Sequence, residues 1–174
     1  MNTEDIHIEP YNSEWPQKFE SEAKILRELL DKNQIVVIEH VGSTSIAGLS
    51  AKPIIDILIG VKSLLEAKSL IPGLEELGYS FWADDPRKDG YYLVKGLPPN
   101  GPRTFHIHIT EIGSERWNQL LFRDYLRNHS EEAKEYEKLK MGLAEIYKTD
   151  REAYTDAKGE YVKSVLEKAK NGSN

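Results

Sequence analysis

The apolar positions change period along this chain. Branched aliphatic residues run almost unbroken through 35–41 and again through 54–61. Short runs of that kind predict strands buried on both faces, near the centre of a sheet. Shorter segments at 79–83, 90–96 and 104–110 predict three more strands, with the loops ADDPRKDG and LPPNGP between them. Ahead of the first strand, Phe19, Ala23, Leu26, Leu29 and Leu30 recur at helical spacing behind Ser13, a capping residue. A helix is therefore expected through about Asp31. Segment 63–77 predicts another, broken at Pro72 and Gly73. After Gly113 the period is helical throughout, with stripes such as Trp117, Leu121, Tyr125 and Tyr136, Leu139, Leu143. Three helices are expected there, over 114–128, 130–148 and 151–170. The class is α+β: a mixed, mainly antiparallel sheet with helices packed on it and a helical C-terminal part.

Composition narrows the picture without redirecting it. A chain of 174 residues suits one domain over 1–174 with a substantial core. The charge, 23 basic minus 29 acidic residues or −6, argues against nucleic acid as the main partner. No cysteine is present, which excludes disulfides, thiolate metal sites and cysteine nucleophiles. The acidic start MNTEDIHIEPYNSEW has no apolar h-region, and no apolar run has the length of a membrane span. A cytoplasmic protein without membrane attachment is expected.

The chemistry concentrates around EHVGSTSIAGLSAKPIIDILIGV, residues 39–61. Gly42, Ser43, Thr44 and Ser45 follow a strand, and such a turn offers backbone N–H groups and hydroxyls to phosphate oxygens. The spacing is not that of a P-loop, since Gly48 is followed by Leu49; a plain capped turn is the simpler alternative. In the next strand, alternation sets Ile54, Asp56 and Leu58 on one face and Ile55, Ile57 and Ile59 on the other. A carboxylate in a central strand needs a cation, a donor cluster or a metal. In TFHIHIT, His106 and His108 point the same way, as metal ligands or phosphate donors would. His40 adds a third imidazole just before the turn, and Glu39, on the other face of that strand, reads as a structural carboxylate.

These stretches, together with FRDYLRNHSEEAKEYEKLK, resemble the GrpB family, also called UPF0157, over nearly the whole chain. That family is similar in fold to the nucleotidyltransferase superfamily, the polymerase-β-like group. The resemblance implies that Gly42 and Ser43 form the triphosphate-holding turn and that Asp56 is the first of the magnesium-binding carboxylates. Some relatives resemble fusions with dephospho-coenzyme A kinase. The chain departs from the superfamily at Leu58, where a second carboxylate is expected. Two-metal phosphoryl transfer needs several anionic ligands, and one aspartate does not supply them. Glu111 is the acidic residue that could supply a missing ligand.

Three functions follow. In the first, the protein is a nucleotidyl or phosphoryl transferase for a nucleoside triphosphate. Gly42, Ser43 and Ser45 cradle phosphates, Asp56 holds Mg²⁺ or Mn²⁺, and Lys52, Arg103, Arg123, Arg127 and Lys140 are candidates to neutralise charge. In the second, Asp56, His106 and His108 form the metal set of a hydrolase with an open water position. In the third, the scaffold binds a nucleotide or another anion without turning it over. Each basic residue has a solvated helix face as its alternative.

Overall fold

The long apolar runs become the middle of a five-stranded sheet. A computed structural model describes residues 5–30, 33–83, 89–97 and 101–172. The expected helix end at Asp31, and most of the loops 83–90 and 97–102, lie outside these residues. Strands β1 (Ile35–Val41), β2 (Ile55–Val61), β3 (Tyr79–Phe81), β4 (Tyr91–Lys95) and β5 (Phe105–Glu111) take the order β1-β2-β5-β4-β3. Only the β2–β5 pair is parallel; the other pairs are antiparallel. The sheet is therefore mixed and mainly antiparallel, as the pattern predicts. β2, the most apolar strand, sits between β1 and β5.

One face carries the main core. Ile55, Ile57 and Ile59 of β2 and Ile107 and Ile109 of β5 pack against Trp15, Phe19, Ala23 and Leu26 of α1 (Trp15–Leu29). The same cluster takes in Ala67 of α2 (Leu64–Ala67) and Leu74 of α3 (Ile71–Glu76). Each of these isoleucines is buried and contributes roughly 1.5–3 kcal/mol by leaving water. The break expected at Pro72 comes earlier, in a 3₁₀ turn at Lys68–Leu70. Pro72 itself sits in the first turn of α3, where no N–H is missed.

The opposite face meets the C-terminal helices α4 (Asn118–Asn128), α5 (Ser130–Ile146), α6 (Arg151–Asp156) and α7 (Gly159–Asn171). The sequence pattern predicts three helices here. The fourth arises because 151–170 is interrupted between Asp156 and Gly159. A second apolar cluster forms in this layer from Ile46, Leu49, Leu126, Tyr136 and Val165. Trp117 lies over Gly60 of β2, where a Cβ would come within 2.8 Å of the indole. Among the described residues no helix is long and apolar enough to cross a membrane.

Candidate functional site: a lysine-rich cleft over the sheet

Strand parity brings the site together. β2 and β5 run parallel with Asp56 level with His106 and Leu58 level with His108, so all four side chains leave the sheet on the face opposite the main core. The His106 Nδ1–H donates to Asp56 Oδ1 at 3.1 Å, and His108 Nε2 lies 3.8 Å from the same oxygen. Arg116, which can only donate, reaches His108 Nδ1 at 3.0 Å and also pairs with Asp89. His108 therefore carries its proton on Nε2, facing Asp56. Tyr92 of β4 stacks on His108 with ring centroids 5.0 Å apart.

Gly42 caps the carboxylate from above. Its φ of 70° and ψ of −175° belong to backbone that glycine adopts and other residues avoid, and a Cβ there would stand 2.3 Å from Asp56 Oδ2. The turn that follows is a 3₁₀ segment, Ser43–Ser45, in which Ser45 spends both its N–H and its hydroxyl on the Gly42 carbonyl. Burial alone would raise the Asp56 carboxyl. The hydrogen bond from His106 and the nearby His108 imidazole outweigh that effect and hold it well below the usual carboxylate range. Burial, reinforced by Arg116 and opposed by Asp56, keeps the His108 imidazole below its ordinary value.

Above Asp56 opens a cavity of about 540 Å³, floored by the sheet and roofed by α4–α7. Gly42, Ser43, Thr44, Lys52, Asp56, His106, His108 and Lys140 line it, as expected of candidate residues. Lys158, Arg116, Tyr136 and Tyr154 line it too, and the sequence pattern does not single them out. Lys52 and Lys158 flank the Tyr154 ring, 5.0 and 4.2 Å from its centroid, and Lys140 lies 5.0 Å from that of Tyr136. Lys140 donates to the Ser50 carbonyl. Among the described residues none of the three lysines pairs with a carboxylate. Burial depresses all three amines: Lys52 to about 8, with Lys158 and Arg151 adding to the drop; Lys140 to about 7, with Lys158 adding; and Lys158 to about 8, against the pull of Asp56.

His40, Ser45, Arg103, Glu111, Arg123 and Arg127 are not part of this lining. His40 is level with Ile57, which puts it on the core face, stacked 4.8 Å from Phe19. It donates to Thr44, which in turn donates to the Ile54 carbonyl, so it braces the turn from behind. Arg123 holds Glu39 at 2.7 Å and the His40 carbonyl at 2.9 Å, and Arg127 makes two hydrogen bonds to the Ser45 carbonyl. These arginines tie α4 to the strand end and the turn. Arg103 lies over the Trp82 ring at 5.7 Å. Glu111 accepts from the Leu64 N–H at the far end of β5.

The set Asp56, His106 and His108 does not fit a divalent ion. One carboxylate oxygen lies beside both imidazoles, the acceptor nitrogen of His108 already holds Arg116, and among the described residues no group of three or more His, Asp or Glu is placed to hold a metal ion. Leu58, level with Glu39 and His108, is fully buried and adds no oxygen. The surrounding charge is cationic, which suits an anion rather than a metal.

Residues 5–168 match the family model described as GrpB protein. The chain belongs to the GrpB family. A UPF0157 protein of Pseudomonas aeruginosa is 45% identical over 97% of this GrpB chain and 70% of its own length. The crystal structure of conserved protein GrpB from Enterococcus faecalis superposes with a TM-score of 0.82 at 32% identity, covering 94% of this chain and 96% of that one. A dephospho-CoA kinase of Mycolicibacterium paratuberculosis is 25% identical over 94% of this chain, which spans 46% of the kinase. The Cid1 poly(U) polymerase superposes with a TM-score of 0.53 at 14% identity, covering 79% of this chain and 43% of that one. The GrpB fold is thus nucleotidyltransferase-like.

Proposed function

We propose that the cleft binds a nucleotide by its phosphate chain. The observation that carries this reading is the convergence of the Gly42–Thr44 turn with the amines of Lys52, Lys140 and Lys158 on one cavity of about 540 Å³. That volume falls within the range of sites for small ligands and cofactors. Three amines without carboxylate partners are costly to keep in a partly buried site, and a polyanion offsets that cost. Tyr92, Phe122, Tyr136 and Tyr154 add aromatic surface to the lining. The Cid1 structure that shares the fold was solved bound to MgATP, which favours a nucleotide over other anions.

The test is thermal unfolding and calorimetry with ATP, GTP, CTP and UTP, alongside adenosine. A nucleotide at 100 times its Kd stabilises the folded state by about 2.7 kcal/mol. Triphosphates should raise Tm and adenosine should not. Lys52→Gln and Lys158→Gln should each remove the shift while leaving circular dichroism unchanged. The absence of any shift with nucleotides at millimolar concentration overturns the reading.

A second reading, nucleotidyl or phosphoryl transfer, is favoured by one observation. In the neutral ring whose Nδ1–H donates to Asp56, the His106 Nε2 is the acceptor, and among the described residues this buried atom has no hydrogen-bond partner. A carboxylate-oriented imidazole beside a phosphate-binding turn is a general-base arrangement. Release of pyrophosphate or phosphate from a bound triphosphate, lost in Asp56→Asn, supports it. Binding without release leaves the protein a binding module. Hydrolysis through a metal held by both histidines is not supported, since His108 is committed to Arg116.

A further inference from the structure

We propose that this cleft matches the charge of its ligand with protons taken up by Lys52, Lys140 and Lys158, so that inorganic triphosphate binds without a divalent ion. The proposal rests on the phosphate-binding reading above and adds what replaces the metal. In the nucleotidyltransferase arrangement carboxylates hold cations, and the cations hold phosphates. Here Asp56 has one oxygen beside two imidazoles and the other facing Gly42. The positive charge comes instead from three separate elements. Lys52 precedes β2, Lys140 belongs to α5, and Lys158 stands at the N-cap of α7. The first turn of α7, with Gly159, opens onto the same cavity and adds its N–H groups.

The amines act on one another. Lys158 and Lys52 both oppose protonation of Lys140, and Lys158, Arg151 and Arg103 oppose that of Lys52. The groups that favour protonation are fewer: Asp56 towards Lys52 and Lys158, and Glu137 towards Lys140. Glu137 is itself engaged by the Ser50 N–H, and Arg116 and Glu115 complete the charged lining. With the empty-site amines held near 7 to 8, the site at pH 8 lacks part of its positive charge. A polyanion entering among them pulls protons back from water. The expected uptake is about one to two protons per ligand at pH 8 and close to none at pH 6. Affinity should fall about tenfold per proton for each pH unit above 8.

The experiment is isothermal calorimetry of the full chain with inorganic triphosphate, in EDTA and in Mg²⁺. Each titration is run at pH 6 and pH 8, in Hepes and in Tris, whose ionisation enthalpies differ. Binding in EDTA, with a net proton uptake at pH 8 larger than at pH 6 after the ligand's own ionisation, near about pH 6, is subtracted, supports the proposal. Lys158→Gln should weaken triphosphate at least tenfold and take up about one proton fewer. Lys134→Gln, on the exposed face of α5, should change neither quantity. Binding that requires Mg²⁺, or equal heats in both buffers at pH 8, overturns it while leaving nucleotide binding intact. If neither triphosphate nor any nucleotide binds, the phosphate-binding reading falls as well.

Discussion

Replacing Gly42 by alanine tests the junction between the turn and Asp56, and its cost can be worked out in two parts. The backbone at φ 70° and ψ −175° is a conformation that costs a non-glycine residue of order 1–3 kcal/mol. The new Cβ would stand 2.3 Å from Asp56 Oδ2 and 3.0 Å from Cγ, so the carboxylate must move. Moving it breaks the charged hydrogen bond with His106, a loss of about 1.5–3 kcal/mol. Gly42→Ala should therefore lose about 2.5–6 kcal/mol in urea denaturation followed by tryptophan fluorescence. The Tm should fall by about 2–4 °C for each of those kcal/mol. The decisive comparison is a cycle with Asp56→Ala. Once the carboxylate is gone only the Cβ contact at 3.1 Å remains, and the cost of Gly42→Ala should shrink towards its backbone part alone. A loss under about 1 kcal/mol in the wild-type background, or an equal loss in both backgrounds, refutes the reasoning.

Four further predictions concern His40, Lys158 and Gly60. His40 is held neutral by burial, its pKa pushed down to about 4 with Asp56 opposing and Arg127 and Arg123 reinforcing. Its contribution is complete above its ordinary 6.5 and is lost as pH falls from there through about 4, up to about 3 kcal/mol; His40→Gln should flatten that part of the stability curve. For Lys158, pushed down to about 8, the unfolded chain binds more protons between 8 and 10.5, so stability without ligand should rise with pH across that window. Lys158→Met should raise ligand-free stability at pH 7 by about 1–2 kcal/mol in urea. Gly60→Ala should cost about 1–3 kcal/mol by driving a methyl group into Trp117 and Val37, read as a lower urea midpoint at unchanged m.

Periodicity served well wherever one rule decided the outcome. The two apolar runs at β1 and β2 follow from the apolar pattern and the shared direction of His106 and His108 from alternation, whereas the register that sets Asp56 beside them comes from the β2–β5 pairing. His40 shows where alternation stops. It fixes which face His40 shares with Ile38, but the register that sets His40 level with Ile57 depends on pairing across the 42–54 connection. Lys158 and Arg116 were illegible for another reason. A lysine among charged residues near a helix end reads as solvated, and only the packing of α6 and α7 over the sheet turns it inward. Arg123 and Arg127 illustrate the converse, a pair on one helical face that suggests a ligand site and instead fastens α4 to the turn. The extra break at 157–158 escaped because Ala157 and Lys158 are good helix formers.

The molecule keeps its grease in two places, one under α1–α3 and one among the C-terminal helices, and the cleft lies between the sheet and that second cluster. Much of that seam is made of hydrogen bonds and charges, such as Arg123 to Glu39, Arg127 to Ser45 and Lys140 to Ser50. Contacts of that kind let a layer lift away at less cost than opening an apolar core. An anion gripped from above by Lys140 and Lys158 and from below by the Gly42 turn is then a rivet across the joint. Its arrival should slow amide exchange in α5 and α7 more than in β2 and β5, an outcome read by hydrogen exchange with and without the ligand.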